Sequence, residues 1–351
     1  MSNAVDVNRI KLIDGEVDKV MRLDSTPYVD SNNIPTFKKI WKLMLANTWF
    51  VEEVNVGKDL LDWKTKMSKD EQRAFKMALA FASNLDGIQT TNLPENIIPF
   101  ITENWARMCG VRQAYEEALH VESYLEIVDS LELDRDEVYN MFKTDSILNK
   151  KNQHIIEVYE ELAKEPTVQG KIKALFANLA LEHIYFYSVF LLFFNFAKMG
   201  KMKYSSEMIR FIARDESTSH TAYFVNMIKI ARREFPKEFE QVLPYVNSMF
   251  KEAVDLEITW GKHITKNQIL GISDTGIERF IKSLANKAFS RIGLDKLYSD
   301  KETQHSFSWF WDYLNFNATN ERFFEQSVKN YSKGNSTNVD FDKLRERLSK
   351  L

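Results

Sequence analysis

The chain has 351 residues, enough to bury one large core or two small ones. Its 47 basic residues nearly cancel 50 acidic ones, and the resulting charge of −3 offers nothing to a nucleic acid or an anionic membrane. Only 11 glycines and 7 prolines punctuate this length, which argues against strands and hairpins and for long helices.

The single cysteine, Cys109, excludes an internal disulfide and fits a reducing compartment. Residues 1–20 are charged and carry no apolar run, so no signal peptide and a cytoplasmic location are expected. Pro27, Asn32, Asn33 and Pro35 mark residues 1–35 as an irregular N-terminal arm, and a short helix follows over 36–47. Ser68 and Glu71 have capping-box spacing and open a helix running to about Gln89. Its apolar stripe is Phe75, Leu79 and Ala82, and the next member is Asp86.

Beyond Pro94 and Pro99 a long helix is expected to end near Leu131. It carries Glu117, His120 and Tyr124, which share one helical face. Glu-x-x-His on an inward face is the ligand unit of carboxylate-bridged two-metal sites inside helix bundles. Residues 132–166 read as two shorter polar helices on the outside. The most apolar helix, 167–198, has Glu182 as the only charge on the stripe Leu175, Leu179, Phe186, Phe190 and Phe193. Its apolar run 184–197 is too short to cross a membrane and includes Asn195, so it reads as a helix buried on all sides.

A helix over 205–233 places Glu216 and His220 on a stripe with Ile209, Ile212, Phe224 and Met227. Further helices cover 237–263 and 274–292, the latter with Asp274 as N-cap and Gly293 as C-cap. An aromatic segment, 307–313, completes the core. Residues 332–338 read as a flexible linker, and 340–351 can form an amphipathic segment.

Six core-facing polar residues therefore sit on four helices: Asp86, Glu117, His120, Glu182, Glu216 and His220. A buried ionised carboxylate costs several kcal/mol unless it is paired or metal-bound. Two divalent cations would balance four carboxylates with both imidazoles neutral. Oxygen and imidazole donors suit iron or manganese, and no thiolate set for zinc is available. Tyr124 lies one turn, roughly 5–6 Å, beyond His120, close enough to lose an electron to an oxidised metal pair. Phe186, Phe190 and Ile212 are placed to wall it from water.

These motifs resemble the radical-generating small subunit of class I ribonucleotide reductase, a ferritin-like dimetal-carboxylate family. The resemblance runs from residue 49 to residue 331. Asn84-Leu85-Asp86-Gly87-Ile88-Gln89 is similar to the family's first ligand segment, and Glu117-Ala118-Leu119-His120 with Ser123-Tyr124 to the second. Glu182 with Phe186 is similar to the third, and Ile212-Ala213-Arg214-Asp215-Glu216 to the start of the fourth. The fourth segment is one residue longer than the family's Glu-x-x-His, reading Glu216-Ser217-Thr218-Ser219-His220. Three helical steps turn roughly 300° and four roughly 400°, so His220 returns to about the same face, directly or through a π-bulge.

The resemblance implies an all-α, ferritin-like helical bundle with additional helices over 1–330 and a flexible C-terminal tail, 331–351. It implies two metal ions per chain, with iron expected and manganese or a mixed pair as alternatives, and a stable radical on Tyr124. Trp49 would start the radical path, Asp215 would link it to a metal-bound histidine, and Tyr331 would relay it between subunits. A homodimer is implied, with the tail docking on the large subunit that reduces ribonucleotides; a flavoprotein activator is one source of the oxidant. Nucleic acid and membrane are not expected partners. Two rival readings use the same ligands: a ferritin-like dimetal oxidase or oxygenase acting on a small apolar substrate, and metal storage.

Overall fold

The computed structural model describes residues 36–315 except Thr102 and Pro166. The expected N-terminal arm, Tyr331, the 332–338 linker and the 340–351 segment lie outside the described residues. The described chain is all-α: no strand is present among these residues. The chain divides between Phe310 and Trp311, and the helical bundle described below belongs to the unit that ends at Phe310.

Ten helices organise that unit. They are α1 (Thr36–Ala46), α2 (Lys69–Asn92), α3 (Asn104–Ser130), α4 (Ser146–Lys164), α5 (Val168–Ala180), α6 (Tyr187–Lys198), α7 (Lys203–Asp215), α8 (Thr221–Glu234), α9 (Pro236–Thr265) and α10 (Asp274–Ile292). Local signals set their ends. The Ser68 hydroxyl accepts from the Glu71 N–H at 3.2 Å and the Glu71 carboxylate accepts from the Ser68 N–H at 2.8 Å, closing the expected capping box of α2. Asp145 and Thr167 cap α4 and α5 in the same sense. Gly293 ends α10 at φ +80°, a left-handed conformation that favours glycine. Ser273, rather than the expected Asp274, is the N-cap of α10, because its hydroxyl accepts from the Gly276 N–H while Asp274 already belongs to the first turn.

Residues 132–166 hold three helices rather than two, Arg135–Tyr139, Met141–Thr144 and α4. Asp145 is the cause: capping Ile147 and Leu148 restarts the chain as α4.

The centre is built from α2 packed on α3, α6 on α7, and α5 on α8, with α9 lying against both α5 and α10. Two of these rods are interrupted. A π-helical turn, Leu181–Tyr185, joins α5 to α6, and another, Glu216–His220, joins α7 to α8. The stretch Val168–Lys198 is long and apolar enough to cross a membrane, yet its most apolar window is wholly buried within the protein. It is the core helix of the bundle, and Glu182 lies at its middle.

Candidate metal centre

Asp86 comes from α2; Glu117, His120 and Tyr124 from α3; Glu182 from the first π turn; and Glu216 and His220 from the second. All seven are fully buried. Their donor atoms form two sets. Asp86, Glu117, His120 and Glu216 converge in one, Glu117, Glu182, Glu216 and His220 in the other, with all donor atoms of a set within 4.8 Å of one another. Glu117 and Glu216 belong to both, the arrangement of two bridging carboxylates.

The extra residue of the fourth segment is absorbed by the second π turn. Thr218, Ser219 and Thr221 make that turn tolerable, because their hydroxyls take up carbonyls that a regular helix would bond to N–H groups. Thr218 Oγ1 donates to Arg214 O at 2.7 Å, Ser219 Oγ to Asp215 O at 3.3 Å, and Thr221 Oγ1 to Glu216 O at 2.7 Å. His220 thereby points Nδ1 inward, 3.1 Å from Glu216, 3.4 Å from Glu117 and 3.7 Å from Glu182. His120 Nδ1 faces Glu216 at 3.1 Å, Glu117 at 3.5 Å and Asp86 at 3.6 Å. A cation about 2.1 Å from each donor spaces neighbouring donors about 3–4 Å apart, so these separations suit a pair of ions.

Orphaned polar atoms point the same way. Both Asp86 oxygens and one oxygen each of Glu117, Glu182 and Glu216 are buried without a hydrogen-bond partner. Among the described residues, the basic side chains close to Asp86, Glu117, Glu182 and Glu216 are the two histidines. Unpaired buried acceptors of this number are costly in any fold, and a cation pair satisfies them together.

Protonation in the metal-free cluster follows from burial and crowding. Burial, then the Glu117 charge, holds Asp86 well above the usual carboxylate range. Burial and the neighbouring Glu182 do the same to Glu216. Glu182 falls below its ordinary value because hydrogen bonds from Glu216, His220 and Gln89 outweigh its burial. For His120 and His220 burial opposes protonation, but the surrounding carboxylates outweigh it and raise both well above the ordinary imidazole value.

Trp49, Asp215 and His120 line up outside the cluster. The Trp49 indole N–H donates to Asp215 Oδ2 at 2.7 Å, and that oxygen lies 3.5 Å from His120 Nε2. Trp49 also stacks near His120, centroids 6.3 Å apart, and on Phe211 at 5.2 Å. Burial works against ionisation of Asp215, but His120 and Arg214 prevail and hold its carboxyl below the usual range. Tyr124 has a buried hydroxyl with no hydrogen-bond partner. Burial, followed by the Asp86 charge, pushes its pKa far above the ordinary phenol value. Phe186, Phe190 and Ile212, expected to wall it, are also fully buried.

Several residues of the site escaped the sequence reading. Glu116 accepts from His220 Nε2 at 2.9 Å and is paired with Arg112 at 2.9 Å. Adjacent to Glu117, it lies about 100° around the helix and looks like a surface acid in sequence. Gln89 and Gln113 donate to Glu182 Oε1 at 2.5 and 2.8 Å. They stand three residues after Asp86 and four before Glu117, so one-turn spacing from those acids would have found them.

The family model for ribonucleotide reductase, small chain, matches residues 31–305. The chain belongs to that family. It is 33% identical over 319 residues to the ribonucleoside-diphosphate reductase subunit beta of Treponema pallidum, covering 89% of this chain and 90% of the relative. It is 31% identical to the corresponding subunit of Halalkalibacterium halodurans, covering 87% and 88%. Among solved structures, a ribonucleotide reductase R2 subunit from Clostridium botulinum superposes with a TM-score of 0.75 at 32% identity, covering 82% of this chain and 92% of that one. The dimanganese(II)-NrdF of Streptococcus sanguinis shares the fold with a TM-score of 0.69 at 21% identity, covering 82% and 99%. The fold is therefore the ferritin-like bundle of this family. The protein is a small subunit of class I ribonucleoside-diphosphate reductase, an oxidoreductase component that pairs with a large subunit to convert ribonucleotides to deoxyribonucleotides.

Proposed function

We propose that Asp86, Glu117, His120, Glu182, Glu216 and His220 hold two metal ions and that Tyr124 carries the radical this small subunit makes. The observation that carries this reading is the pair of overlapping four-residue sets joined by Glu117 and Glu216. The donors are carboxylate and imidazole, which fit iron, with manganese or a mixed pair as alternatives. When bound, the metals supply one-electron oxidising power drawn from oxygen or a reduced oxygen species. A flavoprotein activator is one source of that species.

The protein's own residues do the rest. Tyr124 is a phenol whose proton is held tightly by burial. Oxidation to a neutral radical removes one electron and that proton, for which Asp86, ionised once a cation is bound, is the neighbouring acceptor. Phe186, Phe190 and Ile212, all fully buried, are the apolar side chains that shield the product from reductants in this reading. His120, Asp215 and Trp49 form the route outward: Asp215 keeps the His120 ring in register through Nε2 and ties Trp49 to it.

Tyr331 then hands the oxidising equivalent to the large subunit, on which the 331–351 tail docks. The 1–330 portion works as a homodimer in the cytoplasm. The test is to load apoprotein anaerobically with iron(II) or manganese(II), admit oxygen, and record the EPR spectrum. Wild type shows a tyrosyl signal under at least one loading and Tyr124→Phe does not. A signal unchanged in Tyr124→Phe overturns the assignment.

A further inference from the structure

The bundle holds a second buried charge cluster, away from the metal donors. Lys151 of α4 is 1% exposed and Glu257 of α9 is fully buried, and the two form an ion pair. The ammonium lies over the Phe81 ring, 3.5 Å from its centroid, with Tyr185 and Trp260 close by. Nothing in the metal centre uses this pair. A buried ion pair roughly breaks even against well-packed apolar side chains, so net stability does not explain it.

What the pair touches is specific. Lys151 Nζ donates to Tyr185 O at 3.2 Å, and Glu257 Oε1 accepts from the Ser188 N–H at 2.9 Å. Tyr185 ends the π turn that carries Glu182, and Ser188 lies in the first turn of α6. The helix is broken there. A carbonyl at the end of one segment and an N–H at the start of the next both lose regular partners. The cation lies on the carbonyl and the anion on the N–H, matching the partial charges of the two helix ends.

Gly261, one turn beyond Glu257, lets α9 come close enough. A Cβ at that position would lie 2.7 Å from Ser188 Oγ. Burial lowers Lys151 to about 8 and raises Glu257, which fits a pair that is held by its neighbours rather than by solvent.

We propose that Lys151 and Glu257 are positioning residues that pin the helix break at Glu182, and so control the metal position Glu182 shares with His220. This rests on the two-metal reading. The consequence is selective: the position built on Asp86 and His120 draws its donors from α2, α3 and the other π turn and does not depend on this break.

The test uses full-length apoprotein titrated with manganese(II), following the EPR signal of free ion, with thermal melting of each apoprotein alongside. Wild type binds two equivalents per chain; failure to do so removes the two-metal reading itself. Lys151→Met combined with Glu257→Met removes both charges at similar volume. One equivalent weakens about tenfold or more, the one that Glu182→Ala also removes and Asp86→Ala retains. Lys151→Met with Glu257→Gln, which restores an acceptor for the Ser188 N–H, recovers part of that loss.

Gly261→Ala keeps both charges and pushes α9 away from Ser188, and gives the same selective loss if the double variants fold poorly. Wild-type affinity at both positions in a folded variant overturns the proposal. Equal weakening of both positions does so too, since that is the mark of a general packing role.

Discussion

Asp215→Asn isolates what one buried carboxylate does for the metal centre. The residue is 1% exposed, and its Oδ2 accepts from Trp49 at 2.7 Å and faces His120 Nε2 at 3.5 Å, while Oδ1 faces Arg214 Nε at 3.4 Å. An amide at this place has one oxygen and one NH2. If the oxygen stays with Trp49, the NH2 confronts the Arg214 guanidinium; if it turns round, the NH2 confronts the indole N–H. Either way a donor meets a donor in a dry site, at a cost of about 1–3 kcal/mol. The His120 ring also loses the anion that fixes its Nε2 proton and leaves Nδ1 free toward Asp86, Glu117 and Glu216. Removing such a partner weakens metal binding about 10- to 100-fold, or about 1.4–2.7 kcal/mol. Manganese(II) titration should show this loss in the His120 position and little change in the His220 position. Trp49→Phe, which keeps the charge, should load metal nearly as wild type. Asp215→Asn with wild-type affinity at both positions would refute the reasoning.

Metal uptake should release protons. Asp86 and Glu216 are held above the usual carboxylate range in the metal-free protein, and His120 and His220 above the usual imidazole range, so protons sit on the unloaded side of the equilibrium. Affinity for manganese(II) therefore rises with pH, about tenfold per unit for each proton displaced, and a titration series between about pH 6 and 8 that showed no slope would contradict this. Deleting residues 331–351 should leave metal uptake intact and abolish turnover with the large subunit; full activity of the shortened chain would end the docking role given to the tail.

The helices and the converging acids were legible for one reason: a charge that continues an apolar stripe is conspicuous. Asp86 follows Phe75, Leu79 and Ala82, and Glu182 stands alone among leucines and phenylalanines, so periodicity placed both inward. The one-residue excess between Glu216 and His220 was visible too, and a π-bulge was one of the two ways expected to absorb it; what holds that turn was not visible. That depends on three hydroxyls binding the carbonyls behind them.

Residues whose partners are remote in sequence were not legible. Lys151 and Glu257 are 106 residues apart, and each alone reads as a solvated charge on a polar helix face. Glu116 was hidden by its neighbour, since one step along a helix turns a side chain away from the face being followed. The cap of α10 shifted from Asp274 to Ser273 because both residue types cap well and only the backbone of the preceding residue decides between them.

The most direct measurement is anomalous diffraction from crystals loaded with iron(II) or manganese(II). Two peaks per chain, about 3.5–4 Å apart, should appear inside the bundle, both within reach of Glu117 and Glu216, one beside His120 and the other beside His220. A single peak, or metal bound away from these six side chains, would contradict the account.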